Sequence, residues 1–236
     1  MSIILSIENL YMSFDGVSPL KDVSFIVREQ SIVVITGENG VGKTTLFNLI
    51  TGLEKPKKGR ISFKGTNILF KSALQISRLG ITRLYQQPRL FKNLLVWENL
   101  VSAAHPKIGN SLLNLILKSK KIRNEDELLK IKANNLLEKF GLHDLSKQKV
   151  GELSYGQQKL VSFCMIIMNE SQLVLLDEPF AGMNPKAIDQ FCNMILEMRK
   201  EGATFLIIEH NINKALTIAD NLLVMKEGVI DNIKVR

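Results

Sequence analysis

The stretch Gly37 to Thr45, GENGVGKTT, fills every fixed position of the phosphate-loop pattern G-x-x-x-x-G-K-[ST], with Gly37, Gly42, Lys43 and Thr44 in place. Glycines let the backbone curl until its N–H groups point inward at phosphate oxygens, and Glu38, Asn39, Gly40 and Val41 supply the rest of that backbone. The helix that follows adds its positive end at the same spot. Lys43 brings a mobile positive charge for the outer phosphates, the Thr44 hydroxyl suits magnesium, and Thr45 adds a hydroxyl nearby. A bare glycine-rich turn without ligand is the structural alternative.

A second constellation is LVLLDEP, Leu173 to Pro179. Its four apolar residues read as a buried strand that delivers Asp177 to the carboxyl end, where α/β sheets bind ligands. Asp177 there suits a magnesium shell, and Glu178 is placed to polarise a water for attack on a terminal phosphate. A third is LSYGQQ, Leu153 to Gln158. Ser154 and Gly156 open a helix whose hydroxyl and N–H groups make a second phosphate-binding surface. One nucleotide cannot readily use both surfaces of one chain, so the second surface points to another subunit's nucleotide.

These residues need a scaffold, and the flanks supply an α/β one. Ser31–Thr36 reads as the strand before the phosphate loop, and Leu46–Ile50 as the start of the helix after it. Before them, Ile3–Leu10 and Val23–Arg28 read as strands, with Phe14 in an intervening loop. After them come a turn–strand–turn over residues 52–65, a short helix over Lys71–Arg78 and a strand over Ile81–Tyr85. From about Val96 to Phe140 strand signals give way to helical ones. Asn124 and Glu127 have capping-box spacing, and Leu129, Ala133, Leu136, Leu137 and Phe140 share one helical face before Gly141. The expectation is a single domain over 1–236 with a helical subdomain inserted at approximately 88–150. Beyond it the α/β pattern resumes: helices over Gly156–Met168, Lys186–Lys200 and Asn211–Ala219, strands over Leu173–Leu176 and Thr204–Ile208, and a closing hairpin around Glu227-Gly228.

Composition agrees with a folded domain: 236 residues, 45% hydrophobic and a net charge of +8. The basic side chains are scattered, with mild clusters at Lys55, Lys57, Lys58 and Arg60 and at Lys118, Lys120, Lys121 and Arg123. They read as solvated loops and helix ends, with a headgroup- or partner-facing surface as the alternative. No apolar run is long enough to span a bilayer, and the N-terminus reads as a strand and not a signal peptide. Cys164 and Cys192 fit no metal or redox spacing and read as buried free thiols. His105, His143 and Trp97 read as surface or packing residues.

With the motifs in this order, the chain resembles an ATP-binding subunit of an ABC transporter over essentially its whole length. The fold this implies is a P-loop NTPase of ABC ATPase type: a mixed-sheet α/β core, an N-terminal antiparallel β subdomain and an inserted α-helical lobe. Phe14 matches the aromatic that stacks on adenine, and Gln86 the glutamine that links the magnesium site to the helical lobe. Ser154, Tyr155, Gly156 and Gln157 match the signature segment, with Tyr155 where glycine is commonest. Ala181–Pro185 falls on the segment that crosses to the partner subunit, and His210 matches the histidine that senses the γ-phosphate. QQPRLF from Gln86, ENLVSAAH from Glu98, LSYGQQ and DEPFAGMNP are similar to the branched-chain amino acid importer group. Ser162 and Met165 depart from the Glu and Arg usual in the helix after the signature, and Asn211 stands where Asp is usual. The chain stops soon after the closing hairpin where that group continues into a helical tail, which reads as a shortened form.

The resemblance implies ATP and Mg2+ as cofactors, with Thr44, Gln86 and Asp177 toward the metal and Glu178, His210 and Gln86 toward catalysis. It implies a head-to-tail dimer with a second ATPase subunit, copy or paralogue, and membrane permease subunits, with a solute-binding protein engaged indirectly. It places the chain peripherally at the cytoplasmic face of the cell membrane, powering import of a small solute such as branched-chain or other amino acids. The rival from another class is a soluble ABC-type ATPase acting on nucleic acid or ribosomes. Such proteins usually carry two ATPase units or a long coiled-coil insertion, and this chain has neither. A non-hydrolysing ATP switch is a third reading.

Overall fold

Short runs of aliphatic residues without polar alternation must be covered on both faces, which is the condition of strands inside a parallel sheet. Three such runs become the middle of the main sheet in the computed structural model, which describes residues 2–14, 16–104, 119–210 and 212–234. They are β3 (Ile32–Thr36), β7 (Leu173–Asp177) and β8 (Thr204–Ile208), and every residue of each is buried. With β6 (Ile81–Leu84), β9 (Asn221–Lys226) and β10 (Val229–Lys234) they form a six-stranded sheet of order β10-β9-β3-β8-β7-β6. All neighbouring pairs are parallel except the β9–β10 hairpin. A second, antiparallel sheet of order β2-β1-β4-β5 is built from β1 (Ile3–Phe14), β2 (Val17–Arg28), β4 (Lys58–Phe63) and β5 (Thr66–Asn67). One buried cluster joins Leu5, Leu10 and Val27 of this sheet to Val33, Leu175 and Leu206 of the other and to Phe47 of α1 (Lys43–Ile50). The short α2 (Ala73–Arg78) and α7 (Ile212–Ile218) belong to the same unit, which comprises residues 1–86, 171–181 and 191–236.

Residues 87–170 and 182–190 form the other compact unit. It holds α3 (Val96–Ala103), α4 (Ser119–Lys139), α5 (Tyr155–Met168) and the start of α6 (Pro185–Lys200). Buried Asn99 organises its entry. Its side chain accepts from Phe91 N at 2.8 Å and donates to the carbonyls of Phe91 and Leu95 at 3.1 and 3.0 Å. Trp97 packs here with the Lys130 ammonium 4.4 Å from its ring centroid.

Several element boundaries differ from the sequence expectation. Phe14 ends β1 instead of lying in a loop, and β2 begins at Val17, because bulged registers and left-handed residues at Asn9 and Asp22 carry the pairing through a stretch without clean alternation. Helix α1 starts at Lys43, three residues before its first apolar position. Helix α4 starts at Ser119, so Asn124 lies inside it and cannot be its N-cap. His105, Lys118 and Asn211 fall outside the described residues.

Candidate functional site

The parallel strands line up so that the chemistry collects on one edge. Strand β8 lies between β3 and β7, and Ile208 is in register with both Ile35 and Asp177. The phosphate loop leaves β3, Asp177 and Glu178 end β7, and His210 follows β8, all at carboxyl ends of neighbouring strands about 4.8 Å apart. Strand β6 flanks β7 in parallel, so Gln86 leaves on the same side.

In the loop, Gly42 is the N-cap of α1 with φ 107°, a left-handed conformation that leaves the first N–H groups of the helix uncapped by any side chain. Glu38, Asn39 and Gly40 are exposed, and Val41 is half-buried. The Lys43 ammonium folds back to donate to the carbonyls of Gly37 at 2.8 Å and Glu38 at 2.6 Å. Burial holds the pKa of Lys43 below the usual lysine value, and the nearby charges of Glu178 and Asp177 offset only part of that. Both carboxylates therefore act on the ammonium of the loop. Thr44 is exposed at the first turn, and Thr45 is half-buried.

Glu178 has φ 46°, rare for a residue with a side chain. Its N–H is tied to the Ile208 carbonyl at 2.9 Å, which turns the chain sharply out of β7. The turn presents both carboxylate oxygens to the site: Gln86 Nε2 donates to Oε2 at 2.7 Å, and His210 Nε2 lies 3.2 Å from Oε1. Phe14 is almost half exposed at the end of β1.

The donors at this edge are the Thr44 hydroxyl, the Gln86 amide and the Asp177 carboxylate. Among the described residues no group of three or more His, Cys, Asp or Glu gathers as a metal cage. That set suits magnesium, which takes one or two carboxylates and completes its octahedron with water and substrate phosphates.

In the helical unit, Ser154 caps α5. Its hydroxyl accepts from Gln157 N at 3.3 Å while Gln157 Oε1 accepts from Ser154 N at 2.9 Å. Much of the polar capacity of Ser154 and Gln157 thus serves the helix itself. Gly156 is buried beside Ala187, where an added Cβ would come within 3.3 Å, and Tyr155 is exposed over Gly182. The Ser162 hydroxyl is buried with no hydrogen-bond partner among the described residues.

Three residues that sequence reasoning missed shape the edge. Arg83, nearly buried, donates to Asp177 Oδ2 at 2.5 Å and to Asn48 Oδ1 at 2.7 Å. Glu209, 3% exposed, accepts from Phe180 N at 2.8 Å and from His210 N at 3.0 Å. A charge embedded in an apolar run, ITRL or LIIEH, is the signal that marks both, since a buried charge requires a partner. The basic residues Lys55, Lys57, Lys58 and Arg60 are all exposed. Cys164 and Cys192 are buried and form no disulfide, and burial pushes the Cys164 pKa up.

The family model described as ABC transporter matches residues 20–181. A probable branched-chain amino acid transport ATP-binding protein of Methanocaldococcus jannaschii is 38% identical over 228 residues, covering 96% of this chain and 88% of the relative. A high-affinity branched-chain amino acid transport ATP-binding protein of Salmonella typhimurium is 33% identical over 226 residues, covering 95% and 89%. Among solved structures, the ADP conformation of an ATP-binding cassette of an ABC transporter superposes with a TM-score of 0.85 at 36% identity, covering 99% of this chain and 92% of that one. A Clostridium perfringens protein described as part of an ABC transporter complex gives 0.84 at 30% identity, covering 100% and 90%.

Proposed function

The chain belongs to the ABC transporter family as an ATP-hydrolysing subunit, and we propose that it powers import of branched-chain or other amino acids. The cargo class rests on the named relatives, which are branched-chain amino acid transport ATP-binding proteins. The soluble nucleic-acid-directed alternative finds no counterpart among them.

The observation that carries the mechanism is the placement of Glu178. Its carboxylate stands at the same strand edge as the phosphate loop and exerts a charge effect on Lys43, with Gln86 and His210 on its two oxygens. Phe14 stacks on the adenine, the loop N–H groups hold the phosphates, and Lys43 exchanges its two carbonyl partners for phosphate oxygens. Thr44, Asp177 and Gln86 hold magnesium, which when bound offsets charge on the outer phosphates. Glu178 accepts the proton of the attacking water as its oxygen bonds to the γ-phosphorus and the bond to the β-phosphate bridge breaks. His210 leaves Glu178 for the γ-phosphate.

Two such subunits close head to tail, and Ser154 and Gly156 of each complete the other's site. Loss of the γ-phosphate removes the link, and the pair reopens. Among the described residues no helix is long and apolar enough to cross a membrane. The subunit works at the cytoplasmic face of the membrane through permease subunits, which in turn meet a solute-binding protein. The test is reconstitution with the cognate permease in vesicles. Leucine uptake that requires ATP and is lost with Lys43→Ala supports the reading, and full uptake with that variant overturns it.

A further inference from the structure

We propose that Arg83 is a positioning residue for the metal carboxylate: it holds Oδ2 of Asp177 and ties it to the helix that begins with Lys43 and Thr44, leaving Oδ1 for the cation. The inference rests on the reading of Asp177 as a magnesium ligand. Arg83 sits on β6 in register with Leu175 of β7, two residues before Asp177. Its guanidinium reaches along the sheet to Asp177 Oδ2 with Nη2, while Nη1 donates to Asn48 Oδ1 at 2.7 Å. Asn48 lies on α1, five residues after Lys43, and its own Nδ2 is anchored on Glu54 Oε1 at 2.8 Å. The guanidinium carbon lies 5.4 Å from the Phe47 ring centroid and 4.8 Å from that of Tyr85. With 4% of the side chain exposed, its position is set by packing as well as by charge.

Stability alone is a poor reason for this arrangement. A buried ion pair roughly breaks even against an apolar replacement, and Arg83 Nε is buried with no partner, which adds a desolvation cost. A fork that fixes one carboxylate oxygen does have a purpose beside a metal. Outer partners of a ligand orient it and set its charge, and one guanidinium links the Asp177 ligand to the helix that carries the Thr44 ligand. The same strand then runs into Gln86, so one side chain ties together all three elements that deliver oxygen donors.

The test is a titration of fluorescent-ATP binding with Mg2+, together with Mn2+ binding to the ATP-loaded protein by paramagnetic resonance. Arg83→Gln is expected to raise the half-saturating Mg2+ and Mn2+ concentrations by about tenfold or more, while ATP binding in EDTA stays within about twofold. Arg83→Lys, which keeps the charge without the fork, falls between. Asn48→Ala loosens the fork without removing it and shifts the metal titration in the same direction by about threefold. It serves as the test should Arg83→Gln not fold. A lowered melting temperature with an unchanged metal titration overturns the proposal. Asp177→Asn is the control. If it leaves the metal requirement unchanged, the reading of Asp177 itself falls. If it shifts the requirement and Arg83→Gln does not, only the role of Arg83 falls.

Discussion

The imidazole Nε2 of His210 lies 3.2 Å from Oε1 of Glu178, while Gln86 Nε2 holds the other oxygen at 2.7 Å. A carboxylate with a partner on each oxygen is held in place, and since each oxygen can accept a second hydrogen bond it can also orient a water. Glu178→Gln keeps the shape and removes the base, so phosphate release is expected to fall by about 10²-fold or more while ATP binding persists. Without hydrolysis the ATP-bound pair accumulates, which size-exclusion chromatography in ATP would reveal as a dimer. Turnover at the unaltered rate would remove Glu178 from this role. His210→Ala is expected to slow phosphate release with little effect on ATP affinity.

The phosphate loop contains two glycines that fail differently when replaced. At Gly42 a Cβ would stand 2.3 Å from the Pro19 carbonyl oxygen and 3.1 Å from Leu20 Cδ2, on a backbone with φ 107°. At Gly40 the φ is 81° but no atom lies within 4 Å of the added carbon. Gly40→Ala is therefore expected to cost about 1 kcal/mol of conformational strain and to keep measurable ATP binding. Gly42→Ala must also move the loop or β2, so ATP binding is lost and the melting temperature falls further than for Gly40→Ala. Nucleotide titration and thermal unfolding of the two variants side by side check both statements.

The middle of the main sheet was legible because strands buried on both faces leave only aliphatic residues, as in Ile32–Thr36, Leu173–Asp177 and Thr204–Ile208. The phosphate loop was legible because its backbone geometry demands glycines at fixed spacing. The first half of β2 was not, since Asp22 enters it at φ 81° and the pairing with β1 is bulged, which erases period-two alternation. For Arg83 and Glu209 the sequence marks a buried charge but not its partner, and Asn48 carries no mark at all. Each acts on a residue brought near by the sheet: Arg83 and Asp177 are 94 positions apart, and Glu209 and Phe180 are 29 apart. No local pattern encodes a pairing across adjacent parallel strands and the helices between them.

Glu209 is the anchor on which the geometry of His210 depends. Its N–H donates to the Ile35 carbonyl at 3.1 Å, and its two carboxylate oxygens take the Phe180 and His210 N–H groups. Glu209→Ala leaves two backbone donors without this acceptor, a loss of about 1–3 kcal/mol that urea unfolding would register as a lower midpoint. The turn after Glu178 and the start of the loop bearing His210 are no longer fastened to one carboxylate. Phosphate release is therefore expected to drop by about an order of magnitude, with ATP affinity little changed, since the phosphate loop is untouched.

Ser154 has two separable duties, and one substitution distinguishes them. Its hydroxyl caps α5 by accepting from Gln157 N, and it opens the helix end proposed to meet the other subunit's nucleotide. Aspartate is as good an N-cap as serine, and its charge suits the positive end of the helix, so Ser154→Asp is expected to hold or slightly raise the melting temperature. Ser154→Ala removes the cap at a cost of about 1 kcal/mol. Facing a γ-phosphate, however, the aspartate repels where serine donates. ATP-driven dimerisation and phosphate release should then collapse in Ser154→Asp although its fold is intact, and Ser154→Ala should retain more activity despite being less stable. If activity instead follows stability across the two variants, Ser154 serves only as a cap and the second nucleotide surface is lost. Mixing Ser154→Asp chains with Lys43→Ala chains sharpens the test. A head-to-tail pair of the two keeps one composite site with an intact loop and an intact Ser154, so the mixture recovers part of the turnover that neither variant shows alone.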